Sequence, residues 1–301
     1  MTAVVEIRSS KLGAYLELGK LRLSSMAIFA VLAGLFLGST GIPGWSLVLP
    51  TIFGTLLVAV GGNALNMYLE RDTDPAMRRT QARPLPSGRL TPLEVLICGI
   101  GTSAIGLGLL FAFTNLLATA LCAVIGVTYV LIYTPMKRRS SLNTLVGAVP
   151  GALPPVVGYA AGKGHIDEAA VVLFFILFFW QIPHFLAIAW RYRDDYERAG
   201  MQMLPVIDPR GRTTAVQMMV YCVSLVVISV LPSFPFVGLT GQMYLYVAVL
   251  LGFVFLIATF LAAVLRKPVA MRQCFLVSII YLPLLFTAMV VDNFMQMRAG
   301  M

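Results

Sequence analysis

The sequence predicts an all-α polytopic membrane protein, a bundle of nine transmembrane helices with the N-terminus cytoplasmic and the C-terminus outside. Three observations predict it. Of 301 residues, 59% are hydrophobic and only 12% charged, against about 25% charged in ordinary soluble domains. Apolar runs long enough for a hydrocarbon core of about 30 Å occur at residues 24–41, 45–67, 93–113, 116–134, 142–161, 169–190, 214–232, 243–265 and 271–291. Along such a path all but Lys163 and Arg298 of the 22 Lys and Arg fall on the side of the N-terminus, which is the positive-inside signature. A span gained or lost in mid-chain would scramble that alternation. The net charge of +9 therefore reflects topology, and no nucleic-acid partner is expected.

Residues 1–23 form a charged, partly amphipathic cytoplasmic lead-in ending Lys20-Leu21-Arg22. They carry Glu6 and Glu17 and have no short apolar core with a small-residue cleavage site, so neither a cleaved signal nor a mitochondrial transit peptide is expected. A bacterial inner membrane, with membrane lipid as surroundings, is the expected location. Residues 24–291 are expected to be one intramembrane domain, and residues 292–301 a short outside tail. Gly34 and Gly38 in span one, and Gly147/Gly151 and Gly158/Gly162 in span five, have the spacing that allows close helix packing. Span five also holds Pro150, Pro154 and Pro155 and is expected to be kinked. Cys98, Cys122, Cys222 and Cys274 stand singly inside spans and read as small buried apolar residues.

Span two leads into the most charged stretch, residues 66–89. Asn66, Glu70 and Asp74 recur every four residues, so in a helix they share one face while Asp72 points away. At about 6 Å and an effective dielectric near 20, two such carboxylates repel by roughly 3 kcal/mol. A buried face would therefore need a counter-ion, and a hard cation such as Mg²⁺ takes oxygen ligands of this kind. Pro75 is expected to end the helix near Asp74, leading into Arg78, Arg79 and Arg83. Span four ends in Tyr129, Tyr133 and the cluster Lys137-Arg138-Arg139.

Span six carries Trp180-Gln-Ile-Pro-His184 and exits as Trp190-Arg191-Tyr192-Arg193-Asp194-Asp195. An ionisable residue within a span, here His184, is a functional candidate. The exits of spans two and six are four spans apart, hence on the same side and in the same orientation. They suggest a parallel pseudo-repeat with two acidic exits facing each other; spans seven to nine read as scaffold or lipid-substrate wall. Two such exits, ringed by cations at one end of a greasy bundle, suit a ligand with a diphosphate head and a hydrocarbon tail.

These residues resemble a known family, the intramembrane prenyltransferases of the UbiA superfamily, which are nine-helix bundles. Asn66-x₃-Glu70-x₃-Asp74 is similar to their first acidic motif. Six segments narrow the resemblance to the haem-directed branch, the protohaem IX farnesyltransferases or haem O synthases: residues 66–74, 83–89, 133–138, 142–155, 179–185 and 193–200. The resemblance implies that Asn66, Glu70 and Asp74 bind Mg²⁺ through diphosphate, with Asp194 and Asp195 as the second acidic site in the region 184–200. Lys137, Arg138, Arg78, Lys20 and Arg22 are implied diphosphate contacts, although Leu21 stands where a proline is common. Other members have two aspartates four apart where this chain has Arg191 and Asp195, and His184 replaces an earlier aspartate. His184, Arg191, Tyr192 and Trp180 are accordingly the expected acceptor contacts.

The implied reaction moves farnesyl from farnesyl diphosphate to a vinyl group of haem B, giving haem O for haem-copper terminal oxidases. Contact with haem A synthase or oxidase-assembly proteins is implied by the resemblance alone. Two alternatives stay open at this point. One is the same chemistry on a quinone precursor; the other, from a different class, is a secondary transporter of an anionic amphipathic solute.

Overall fold

A computed structural model describes residues 10–299, apart from the side chains of residues 21–23 and 299. Among the described residues the regular structure is entirely helical. A short helix α1 (Lys11–Leu18) precedes α2 (Leu21–Gly38) and α3 (Trp45–Leu69). Next come α4 (Pro92–Phe113) and α5 (Leu116–Val127), the latter continued by a π-helical turn, Thr128–Tyr133, and by Thr134–Met136. The chain goes on through α6 (Asn143–Ala152), α7 (Pro154–Lys163), α8 (Glu168–Arg191), α9 (Arg193–Arg198) and α10 (Leu204–Ile207). It ends with α11 (Arg212–Val230), α12 (Gln242–Leu265) and α13 (Pro268–Ala299).

Eight segments among the described residues are long and apolar enough to cross a membrane, with α6 and α7 counted together, and a shorter apolar helix, Ser24–Gly38, precedes them. Local chemistry sets several of their ends. Thr91 and Glu94 form a capping box at the start of α4, with Pro92 at the first helical position. The Asn115 and Asp167 side chains accept from Ala118 and Ala170 N–H at the starts of α5 and α8. The expected kink in span five is a break at Leu153, because Pro154 has no N–H to continue the ladder.

The glycine spacings act as close-packing seams. A β-carbon on Gly34 would lie 1.9 Å from the Pro155 carbonyl oxygen, and one on Gly158 would lie 1.8 Å from that of Val31. The two glycine pairs of α2 and α7 thus face each other, and only hydrogen at those positions lets the backbones approach so closely. One core gathers around α8, α11, α12 and α13, including Leu173, Ile176, Phe255, Tyr281 and Phe286. A second joins α3, α4, α5 and α7 through Val58, Leu110, Cys122 and Val157. Cys122, Cys222 and Cys274 are buried free thiols, and Cys98 is half-buried.

Two boundaries differ from expectation. Helix α3 ends at Leu69, with Glu70 as its cap, and not near Asp74. Helix α13 runs eight residues past the apolar run that ends at 291, reaching Ala299. Its polar end is held to the α11–α12 connection: Asp292 accepts from Gly241 N–H, and Asn293 donates to the Leu239 carbonyl over 2.8 Å. Hydrophobicity stops there, but hydrogen bonding does not.

Candidate functional site

The α3 exit keeps its acidic face together although the helix has ended. Glu70 N–H donates to the Asn66 carbonyl over 2.9 Å, and Asp74 N–H to the Glu70 carbonyl over 2.8 Å. These turn bonds repeat the helical spacing, so Asn66, Glu70 and Asp74 stack and are all buried, Asp74 at 0% exposure. The Asp72 side chain is 78% exposed on the other side. The one-face expectation holds, carried over its last turn by loop hydrogen bonds.

The counter-ions demanded by that burial are present. Lys137 Nζ donates to Glu70 Oε1 over 2.7 Å. Arg83 lies 2.8 Å from each Asp74 carboxylate oxygen and 3.6 Å from Glu70 Oε2. Lys20 Nζ reaches Asn66 Oδ1 over 3.4 Å, and Asn66 Nδ2 donates to Thr134 Oγ1 over 3.0 Å.

Three local devices aim these groups. Lys20 occupies the left-handed region, φ 43°, where a residue other than glycine carries strain. The turn is pinned at the Gly19 carbonyl, which accepts from Ser24 Oγ at 2.8 Å and Asn63 Nδ2 at 3.2 Å. The π-helical turn in α5 puts Lys137 Nζ 4.6 Å from the Tyr133 ring centre, and Thr134 Oγ1 donates to the Tyr129 carbonyl over 2.8 Å. Such turns re-register the side chains that follow, often at functional positions. Residues 74–83 fold into successive turns, with Thr80 Oγ1 donating to the Asp74 carbonyl over 2.7 Å, and so return Arg83 to Asp74.

The cluster is electrostatically tense. Burial pushes the Glu70 carboxyl up, but Lys137, with Lys20 and Arg83, outweighs it and holds Glu70 below the usual carboxylate range. At Asp74 burial prevails over Arg83 and the carboxyl is raised. Burial opposes the charge on Lys137, yet Tyr133 and Glu70 raise its pKa above the ordinary lysine value. Burial together with the neighbouring charges of Arg83 and Lys137 brings Lys20 down to about 7. A cleft of about 450 Å³ opens beside the cluster, lined by Glu70, Thr73, Thr134, Arg138, Arg139 and Met201.

The span-six exit does face the span-two exit. Arg79 donates to Tyr196 Oη over 3.1 Å, Arg198 Nε lies 3.4 Å from the Ala76 carbonyl, and Met77 shares a buried apolar cluster with Ala189, Ala199, Met201 and Met203. Gln202 N–H donates to the Lys137 carbonyl over 2.7 Å. The acidic residues of this exit stay apart from the first cluster, however. Asp195 is buried and paired with Arg198, whereas the Asp194 side chain is 79% exposed beside Arg193. Among the described residues, no three His, Cys, Asp or Glu gather closely enough to hold a metal ion alone.

The other expected residues are spread over both exits and α8. Arg138 is exposed at the cleft, Arg78 is exposed outside the cluster, and the Arg22 side chain lies outside the described residues. Arg191 is exposed with its guanidinium 5.5 Å from the Tyr192 ring centre, and Arg79 approaches that ring to 5.2 Å. His184 stacks on Trp180, ring centres 4.8 Å apart, and its Nδ1 lies 2.6 Å from Ser278 Oγ. Arg83 is the cation the sequence reading did not single out. Its place in the same basic run as Arg78 offers no means of choosing between them, because the intervening turns decide which one comes back.

The UbiA prenyltransferase family pattern matches residues 27–289. This chain belongs to the UbiA prenyltransferase family. It is similar to the protoheme IX farnesyltransferase of Solibacter usitatus, 42% identical over 288 residues, covering 93% of this chain and 98% of the relative. It is also similar to the protein of the same name from Aquifex aeolicus, 38% identical over 97% of this chain and 99% of the relative. Among solved structures of the family fold, a digeranylgeranylglyceryl phosphate synthase superposes with TM-score 0.79 at 19% identity, covering 95% of this chain and 99% of the other. A UbiA homologue from Archaeoglobus fulgidus, bound to GPP and Mg²⁺, gives TM-score 0.59 at 15% identity over 92% of this chain and 99% of its own. Membership in a prenyltransferase family removes the transporter alternative.

Proposed function

We propose that this UbiA-family protein transfers the farnesyl group of farnesyl diphosphate to a vinyl group of haem B, giving haem O, at the cytoplasmic face of a bacterial inner membrane. The observation that carries the diphosphate half is the buried pair Glu70 and Asp74, already matched by Lys137 and Arg83 with Lys20 alongside. The acceptor half is supported by the relatives named protoheme IX farnesyltransferase, 38–43% identical to this chain.

The donor set suits Mg²⁺ together with diphosphate and does not suit the metal alone. Asn66, Glu70 and Asp74 offer hard oxygen atoms, but both carboxylates are engaged by cations in the free protein. Lys137 and Arg83 are themselves phosphate-binding groups. On arrival of the diphosphate they turn to its oxygens and release carboxylate oxygens. Asn66, Glu70 and Asp74 would then hold the metal, which when bound neutralises diphosphate charge and makes it a better leaving group.

The farnesyl C1–O bond breaks with its electron pair leaving on the diphosphate, whose growing charge Lys137, Arg83 and Lys20 stabilise in a site sheltered from water. The vinyl group of the haem supplies the electron pair that bonds to farnesyl C1. Water adds to the resulting benzylic-type cation and loses a proton, which completes the hydroxyethylfarnesyl side chain. Met77, just after Asp74, and Ala189 of α8 belong to one buried cluster between the two exits. His184 and Trp180 precede Ala189 in α8 by five and nine residues, or about 7.5 and 13.5 Å along the helix axis. In this reading the acceptor lies deeper in the bundle than the diphosphate, against His184 and Trp180, with Arg191 and Tyr192 at the exit for its carboxylates.

The test is incubation of detergent-purified protein with haem B, farnesyl diphosphate and Mg²⁺, followed by mass spectrometry of the haem and assay of released diphosphate. A farnesyl-bearing haem with released diphosphate is expected. Prenylation of an aromatic quinone precursor with no haem product would overturn the acceptor and leave the family chemistry standing.

A further inference from the structure

His184 and Ser278 form a contact between α8 and α13 that fixes more than packing. Ser278 Oγ lies 2.6 Å from His184 Nδ1 and 2.6 Å from the Phe275 carbonyl oxygen. The hydroxyl has one proton. Were it directed at Nδ1, lone pairs of Oγ and of the Phe275 carbonyl would face each other at 2.6 Å. The proton therefore lies on the Oγ–carbonyl line, and Nδ1–H donates to Ser278 Oγ. In a neutral ring this leaves Nε2 as the bare nitrogen. Nε2 has no hydrogen-bond partner among the described residues and is not a sealed, unsatisfied atom.

The neighbouring rings hold the imidazole plane, and turning the ring over within that plane would give up the Ser278 bond. One face stacks on Trp180 with planes 24° apart, and Phe275 sits 5.0 Å away, centre to centre. Trp180 Nε1 donates to the Ser278 carbonyl over 2.9 Å, so the same residue of α13 holds both aromatic rings of α8. A histidine whose one nitrogen is tied to an oxygen and whose other is left bare is the usual form of a metal-binding imidazole, and the oxygen partner fixes its orientation.

We propose that Ser278 is a positioning residue that holds His184 with Nε2 directed to the iron of the bound haem acceptor. This rests on the haem reading above and adds to it the nitrogen, the helix that fixes it and the atom it meets. Ser278 touches neither substrate; it acts through His184.

The full-length protein in detergent is titrated with ferric haem B and with metal-free protoporphyrin IX, followed by absorption spectroscopy. Wild type should give the spectrum of histidine-ligated haem, and His184→Ala should lose it. Ser278→Ala should bind haem about 10- to 100-fold more weakly, as for loss of other groups that orient metal ligands, while its affinity for metal-free protoporphyrin IX stays the same. Ser278→Thr, which keeps the hydroxyl, should restore haem binding. Equal weakening toward both porphyrins in Ser278→Ala would reduce Ser278 to packing and overturn the proposal, as would a ligated spectrum that survives in His184→Ala. Failure of wild type to bind either porphyrin would overturn the haem reading itself.

Discussion

Lys137 Nζ sits 2.7 Å from Glu70 Oε1, joining the exits of α3 and α5 across 67 residues of sequence. Both side chains are shielded, at 13% and 7% exposure. Removing one partner of such a pair costs about 3–5 kcal/mol because it strands the other charge, whereas removing both costs far less. Lys137→Met should therefore lower thermal stability in detergent more than Lys137→Met combined with Glu70→Gln. Strictly additive effects in that double-mutant cycle would contradict the pairing.

Asp74 and Asp72 are two residues apart and should respond oppositely. Asp74→Asn removes a buried ligand-bearing carboxylate, and a loss of about 100- to 1,000-fold in turnover is expected, on the scale of other preorganised charge-stabilising groups. Asp72→Asn changes a solvated side chain and should leave turnover nearly unchanged. Equal losses at the two positions would mean that the acidic stretch does not act through one face.

Metal binding should depend on the other ligand. Because Lys137 and Arg83 hold both carboxylates, calorimetry should show weak Mg²⁺ binding to the free protein and much tighter binding once a non-cleavable farnesyl diphosphate analogue is present. EDTA should abolish turnover and Mg²⁺ restore it. Tight Mg²⁺ binding without diphosphate would show that the ion pairs do not compete.

Lys20 supplies the pH dependence. In the free protein it gives up its proton as the pH rises through about 7; a bound diphosphate favours the ammonium form and raises that value. Binding above pH 7 therefore takes up a proton, and affinity falls as pH increases, by at most about tenfold per pH unit. Calorimetry at pH 8 in buffers of different ionisation enthalpy should detect this uptake in wild type and a smaller uptake in Lys20→Met. Identical proton uptake in both proteins would remove Lys20 from the site.

The glycine seams predict opposite signs for one kind of substitution. Gly158→Ala places a carbon 1.8 Å from the Val31 carbonyl and should destabilise by about 1–3 kcal/mol, as overpacking does. Gly108→Ala in α4 meets open space, and better helix propensity should make it neutral or stabilising by up to about 1 kcal/mol. Thermal unfolding of the two variants in the same detergent distinguishes them.

Much of the site was legible because local periodicity reports faces. Residues four apart had to share a side, so Asn66, Glu70 and Asp74 stack and Asp72 does not. The need for a counter-ion followed from Coulomb's law before its donor was known. Which cation answers it was not legible: Arg78 and Arg83 belong to one basic run, and only the turns between Asp74 and Arg83 return the second to the carboxylates. Asp194 and Asp195 are adjacent in sequence, yet one is exposed and the other is buried against Arg198.

The sequence by itself determined the helical membrane class, the acidic face and the close-packed glycine positions. Each follows from composition or from a repeat shorter than one helix, and such signals survive without knowledge of the partner. Tertiary structure alone decided the pairs Lys137–Glu70, Arg83–Asp74 and His184–Ser278, and the continuation of α13 through Asp292. Those depend on how helices distant in sequence dock, and on hydrogen bonds formed only after docking, about which hydropathy carries no information.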